Sequence, residues 1–97
     1  MKRFMVLYVG PAIPPDASHE GWPEWFGKLG GRSVNRGSPT ADGVALHAHG
    51  STSSSATHLN GYSIVQAEDT NDVLSLVKDH PYLAQGEEYS IEVYSLP

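Results

Sequence analysis

Residues 4–9 of the chain, FMVLYV, are apolar at every position, and the turn-forming pair Gly10-Pro11 follows them. This run predicts a first β-strand, because a short apolar segment that ends at glycine and proline is typical of a buried strand. Successive side chains of a strand point to opposite faces of the sheet. The run therefore presents apolar side chains to both faces, and a strand of that kind is usually buried on both.

Helical spacing predicts two helices. The first is expected to begin near Trp22 and to end at Gly30-Gly31, after a proline-rich loop at residues 11–18. Its apolar positions follow the spacing i, i+3, i+4, i+7 and are Trp22, Trp25, Phe26 and Leu29. The second is expected to begin at a cap formed by Asp69 or Thr70 and to end before Pro81. Its apolar face consists of Val73, Leu74, Leu76 and Val77.

Three further strands are predicted at residues 44–49, 61–67 and 89–96, while residues 33–35 are expected to add only a short strand piece. In the strand at 44–49, alternation places one set of side chains towards the helices and the other on the opposite face. The helix-facing set is Val44, Leu46 and Ala48, and the opposite set is Ala45, His47 and His49.

The element order is β-α-β-β-α-β, which predicts an α+β fold of the ferredoxin-like class in a single domain, residues 1–97. Both helices would then cover one face of a four-stranded antiparallel sheet. The other face carries apolar side chains as well, and two short helices cannot cover both. The simplest cover is a second copy of the chain about a two-fold axis, so we expect a homodimer, a dimeric α+β barrel with a cavity between its sheets.

Composition excludes several classes of partner. The net charge is −5, and seven acids but only one base follow residue 67. Because no basic stripe is present, we expect neither nucleic-acid binding nor binding to an anionic membrane surface. The chain has no cysteine, which excludes disulfides and thiol nucleophiles and fits a cytoplasmic protein. No segment is long enough to cross a bilayer.

Four stretches carry a resemblance to a known family: FMVLYVG at residues 4–10, WPEWFGKLGGRSVNRGSP at 22–39, LNGYSIVQAEDTNDVLSLVKDHPYL at 59–83 and YSIEVYSL at 89–96. Together they resemble the YCII-related (DGPF/YciI-like) domain family, small bacterial proteins with the dimeric α+β barrel fold. The resemblance implies the same fold and dimer that the strand pattern predicts. It implies little about activity.

One branch of that family, the YciI-like proteins, is thought to use a His–Asp pair in catalysis. Its histidine lies at the start of the first helix, so the resemblance implies His19 as a catalytic candidate. The aspartate near the end of that helix has no counterpart, since residues 27–31 read Gly-Lys-Leu-Gly-Gly. Where the branch has Asp-Pro-Tyr after its second helix, this chain has His80-Pro81-Tyr82. We expect His80 to end that helix as a cation that suits the helix dipole.

A second catalytic candidate is His47, if the open face of the sheet lines the cavity between two copies. An imidazole near a carboxylate in such a cavity can act as a general acid or base. The expected ligand-binding neighbours on that face are Tyr8, Tyr62 (or Ser63), Gln66, Glu92 and Tyr94.

The histidines also offer candidate ligands for a metal site. His47 and His49 share a strand face, and His58 or Asp42 is the available third ligand for zinc or nickel. No third ligand has a fixed spacing, so solvent-facing imidazoles at a hairpin end are the preferred interpretation. We expect no cofactor.

Two functions remain open from the sequence. In the first, the dimer binds a small organic molecule between its sheets and possesses cofactor-free acid–base chemistry. In the alternative, the dimer is a non-enzymatic accessory or binding module without an active site. The sequence leaves open whether the protein is an enzyme.

Overall fold

The computed structural model describes residues 1–14 and 19–97. The end of the predicted proline-rich loop, residues 15–18, lies outside the described residues. The strands are β1 (Lys2–Val9), β2 (Ser33–Pro39), β3 (Val44–Leu46), β4 (Thr52–Ser54), β5 (Leu59–Ala67) and β6 (Ser90–Leu96). The helices are α1 (Trp22–Leu29) and α2 (Thr70–Val77), with short 3₁₀ helices at Gly30–Arg32 and Pro81–Gln85.

Four of the strands form one antiparallel sheet in the order β2-β5-β1-β6. The predictions of an α+β fold, a four-stranded antiparallel sheet and two helices are confirmed. Among the described residues, no helix is both long and apolar enough to span a membrane.

The first strand lies in the middle of the sheet, as its composition predicts. Phe4, Val6 and Tyr8 are at most 2% exposed and point towards the helices. Met5 and Leu7 point to the other face and are half-buried. The continuous apolar run is thus explained by a strand that has a neighbour on each side and apolar contacts on each face.

Both helices pack on the same face of this sheet. Their buried side chains join those of β1 and β5 in one core, to which the helices contribute Trp25, Phe26, Leu29, Val73 and Val77. The indole N–H of Trp25 donates to the carbonyl oxygen of Leu76 at 3.0 Å and links the two helices. Asp69 caps α2 by accepting from the N–H of Asp72, as predicted.

The opposite face of the sheet, which we call the open face, is half-buried to exposed. Leu7 lies in register with Tyr62 and Glu92 across the neighbouring strands. Met5 lies in register with Ile64 and Tyr94 in the same way. Tyr94 is 54% exposed. Both helices lie on the other side, so in one chain no helix covers the open face, and its apolar residues Met5, Leu7 and Ile64 stay half-buried.

The predicted strand at residues 44–49 is wrong in extent and place. Only Val44–Leu46 is a strand, and it pairs with Thr52–Ser54 in a separate two-stranded sheet. Val44 and Leu46 are 73% and 74% exposed and do not face the helices. The sheet position beside β5 belongs to β2, a full strand where only a short piece was expected. Because β2 is an exposed edge strand, its sequence lacks the alternation of apolar residues from which a strand can be predicted.

A bulge in β2 also interrupts the two-residue period of its side chains, so sequence periodicity does not predict the strand. Its register with β5 shifts between Asn35 and Ser38. Gly37 within the bulge has φ +77°, and its N–H donates to Oδ1 of Asn35 at 2.7 Å. A Cβ on Gly37 would lie 1.7 Å from the carbonyl oxygen of Tyr62. Only glycine fits this point, where two backbones approach closely.

We therefore expect Gly37→Ala to destabilise the protein more than a matched substitution at Gly50. Gly50 also has a positive φ, +97°, but nothing lies within 4 Å of its would-be Cβ. Both substitutions carry backbone strain of about 1–3 kcal/mol, and Gly37→Ala adds a backbone clash of about 2 kcal/mol. Urea unfolding of the two variants measures the difference. Equal losses would contradict the close approach of β2 to β5.

Candidate functional site

A cavity of about 230 Å³ opens on the helix side of the sheet. It lies between α1, the 3₁₀ helix at Pro81–Gln85 and the adjoining ends of β2 and β5. Aromatic residues form a large part of its wall, namely Tyr8, Trp22, Phe26, Tyr62 and Tyr82. Polar groups reach it from His19, Arg36, Asn60 and Gln85. An apolar cleft with a few polar groups is the usual form of a small-molecule site.

Tyr8 forms the centre of the aromatic wall. Its ring centroid lies 5.0 Å from that of Trp22 and 5.2 Å from that of Tyr82. Its hydroxyl lies 2.8 Å from Oγ of Ser63, which itself donates to the carbonyl oxygen of Arg36 at 2.9 Å. Because the Ser63 proton is used there, Tyr8 is the donor to Ser63. Burial raises the pKa of Tyr8 to about 12, so it is a neutral phenol near neutral pH.

Asn60 and Tyr82 form the polar edge of the cavity. The side-chain amide of Asn60 donates to the carbonyl oxygen of Pro11 at 2.9 Å and to the hydroxyl of Tyr82 at 3.0 Å. Tyr82 therefore acts as an acceptor from Asn60. No described residue accepts its own O–H, which remains available to an acceptor in the cavity. Burial raises the pKa of Tyr82, so this proton is retained.

His80 lies in the core beneath the aromatic wall and is 2% exposed. Its Nδ1 accepts the backbone N–H of Tyr82 at 3.0 Å, so the proton of the neutral ring is on Nε2. Nε2 has no hydrogen-bond partner among the described residues. The nearest rings are those of Trp22 and Trp25, with centroids at 4.4 and 4.1 Å. Indole rings are only weak acceptors.

The expectation that His80 is a cation at a helix end is therefore wrong. Burial lowers its pKa to about 4, so the imidazole is neutral at physiological pH. It caps the following 3₁₀ helix instead. The sequence offered no signal for this, because burial of His80 depends on the position of α1.

His19 is the catalytic candidate that the resemblance implies. It borders the cavity, with its ring centroid 5.8 Å from that of Trp22. None of the described residues that line the cavity is an aspartate or glutamate. The described part of the wall thus offers His19 no carboxylate for a catalytic pair.

His47 lies away from this cavity, in the turn of the hairpin formed by β3 and β4. Its Nε2 lies 2.9 Å from Oγ of Ser53, while Nε2 of His49 lies 2.7 Å from Oγ of Ser51. Both histidines are exposed. The placement of His47 on the open face of the sheet was wrong because β3 does not belong to that sheet.

The proposed metal ligands do not converge. The rings of His47 and His49 stack with centroids 5.9 Å apart. His58 borders a second, more polar depression together with Asp42. Within residues 1–14 and 19–97, no three histidine, aspartate or glutamate side chains come together to hold a metal ion.

The open face carries four of the five residues expected there, Tyr62, Gln66, Glu92 and Tyr94, and Tyr62 also borders the helix-side cavity. The hydroxyl of Tyr94 donates to Oε1 of Glu92 at 2.9 Å, and this bond raises the pKa of Tyr94. Tyr8 points to the opposite face, contrary to expectation, and lines the helix-side cavity. The sequence does not indicate which side chains of β1 face the helices, because β1 is apolar on both faces. Whether these open-face residues bind a ligand stays a prediction.

Comparison of the chain with protein-family models, with curated proteins and with solved structures finds no match.

The buried His80 predicts a specific loss of stability in acid. The unfolded chain takes up this proton near pH 6.5, whereas the folded chain resists it until about pH 4. The unfolded state thus binds more protons in that interval, and stability falls as the pH falls through it. The expected contribution of His80 is about 3 kcal/mol between pH 6.5 and pH 4.

The measurement is urea unfolding at several pH values for the wild type, His80→Asn and His47→Asn. The amide oxygen of asparagine can replace Nδ1 as an acceptor, so His80→Asn should fold and have a shallower pH dependence than the wild type. His47→Asn removes an exposed histidine and should retain the wild-type slope. Parallel curves for all three proteins would show that His80 is not held neutral.

Proposed function

We propose that the protein binds a small organic molecule in the helix-side cavity. The observation that carries this proposal is the aromatic wall of Tyr8, Trp22 and Tyr82, with the hydroxyl of Tyr82 directed by Asn60 and without a described acceptor. An apolar enclosure with one or two oriented polar groups supplies both affinity and orientation to a ligand. This cavity, rather than one between two sheets, is the site we favour.

The size of the cavity limits the ligand. Small-molecule pockets usually measure about 300–1,000 Å³, and an engineered apolar cavity of about 150 Å³ accepts benzene. At about 230 Å³, this cavity fits a molecule with a single ring and a short substituent.

Binding without catalysis is better supported than acid–base chemistry. His19 is a histidine at the cavity, and an imidazole is able to serve as a general base. The described wall contains no carboxylate that would orient it. We therefore favour a non-enzymatic binding protein and keep cofactor-free chemistry at His19 as the second candidate.

We further propose that the chain is a ferredoxin-like domain that forms a homodimer, as in the YCII-related family that its sequence resembles. The strand order β2-β5-β1-β6, with both helices on one face, supports the ferredoxin-like arrangement. The half-buried apolar residues Met5, Leu7 and Ile64 on the open face support its cover by a second copy. The absence of cysteine fits a cytoplasmic protein, and the resemblance to the YCII-related family favours a bacterial one.

Tryptophan fluorescence tests ligand binding. The chain has two tryptophans, of which Trp22 borders the cavity and Trp25 does not. Benzyl alcohol, benzamide and benzoate serve as single-ring probes. We expect at least one of them to change the emission of Trp25→Phe, which keeps Trp22, in a saturable manner. The matched variant Trp22→Phe, which keeps only Trp25, should show little change. No saturable response in Trp25→Phe would contradict the proposal.

Sedimentation at micromolar concentration tests the homodimer. The wild type is expected at about 21 kDa, twice the chain mass of 10.5 kDa. Tyr94→Arg places a charge on the open face and should shift the protein towards the monomer. Leu74→Arg is the matched control, because Leu74 is similarly exposed, 48%, but lies on α2. A wild type that sediments at 10.5 kDa, or equal behaviour of both variants, would contradict assembly through the open face.

A further inference from the structure

The charge of the cavity wall differs from that of the whole chain. The chain carries 11 acids and 6 bases. Among the described residues, the wall carries no acid, and Arg36 and His19 are its basic side chains. The excess of acidic residues over the whole chain would repel an anion. The cavity wall has no described carboxylate and presents a guanidinium, so the local charge favours an anionic ligand.

Arg36 is held in place but keeps its charge available. Its backbone carbonyl accepts the hydroxyl of Ser63, which fixes β2 at this point. Its guanidinium carbon lies 5.1 Å from the centre of the Phe26 ring, a cation–π distance that orients the side chain. No described carboxylate forms a salt bridge with it. Arg32, four residues earlier, is instead paired with Asp72 at 2.6 Å.

The wall is divided between an apolar part and a polar part. Trp22 and Phe26 provide apolar surface, whereas Arg36 and the hydroxyl of Tyr82 provide donors. A planar guanidinium matches the two oxygens of a carboxylate. A phosphate dianion would call for more donors than this small and mainly apolar enclosure provides.

Resting on the proposed binding function, we propose that the ligand is a carboxylate monoanion on a single apolar ring, recognised by Arg36. The ring lies against Trp22 and Phe26, and the carboxylate accepts from the guanidinium. His19 stands at the same wall as a further donor. Arg36 is thus a specificity-determining residue that neither the charge pattern nor the family resemblance indicates.

The test compares benzoate with benzamide, its neutral counterpart of nearly the same shape, by isothermal titration calorimetry. The wild type should bind benzoate at least about tenfold more tightly than benzamide, because hydrogen bonds to charged groups are stronger than neutral ones. Arg36→Gln should lose most of this preference while it retains benzamide binding. Lys2→Gln, which removes one positive charge from an exposed position on β1 outside the open face, should retain the preference.

The outcomes separate the two proposals. Equal affinity of the wild type for benzoate and benzamide, or an unchanged preference in Arg36→Gln, overturns the assignment of a carboxylate ligand and leaves cavity binding in place. A loss of preference in Lys2→Gln as large as in Arg36→Gln overturns it too, because the effect would then come from net charge. No saturable binding of benzyl alcohol, benzamide or benzoate overturns the proposed function itself.

Discussion

Burial of the Tyr8 hydroxyl is the constraint on which the rest of the structure depends. Alternation along the central strand turns Tyr8 inward together with Phe4 and Val6. A buried hydroxyl without a partner is costly. Here the Tyr8 hydroxyl donates a hydrogen bond to Oγ of Ser63, and the Ser63 hydroxyl donates one to the carbonyl oxygen of Arg36. This chain of hydrogen bonds joins β1, β5 and the edge strand β2. The ring of Tyr8 also packs against Trp22 of α1. Tyr8 therefore contacts the sheet, the first helix and the cavity wall at the same time.

The cavity wall is fixed before any ligand arrives. Nδ1 of His80 accepts a hydrogen bond from the backbone N–H of Tyr82, and the side-chain amide of Asn60 donates one to the hydroxyl of Tyr82. Two independent contacts therefore define the position of the phenol, which limits the entropy that ligand binding would otherwise have to offset. His80 can accept this hydrogen bond only as a neutral ring. Protonation of His80 in acid would therefore both destabilise the fold and disturb the position of Tyr82 in the cavity wall.

Sequence periodicity predicted the elements that are buried and failed where burial is slight. β1, α1, α2, β5 and β6 contain apolar patterns because each contributes to the core. The edge strand β2 is mostly exposed and is interrupted at Gly37, so its apolar pattern is weaker than that of residues 44–49. The pattern therefore predicts the wrong strand beside β5 and places His47 in the wrong sheet. The cavity was not predicted, because its wall combines residues far apart in sequence, such as Tyr8, Arg36 and Tyr82. Only the resemblance indicated His19.

The central claim is that ligands enter on the helix side of the sheet rather than on its open face. Amide chemical-shift mapping in ¹⁵N-labelled protein, with benzoate as the titrant, tests it most directly. We predict that the largest saturable changes occur at Gly37, Asn60 and Gln85, which border the cavity. Changes centred instead on Leu7, Glu92 and Tyr94, the residues of the open face, would contradict it.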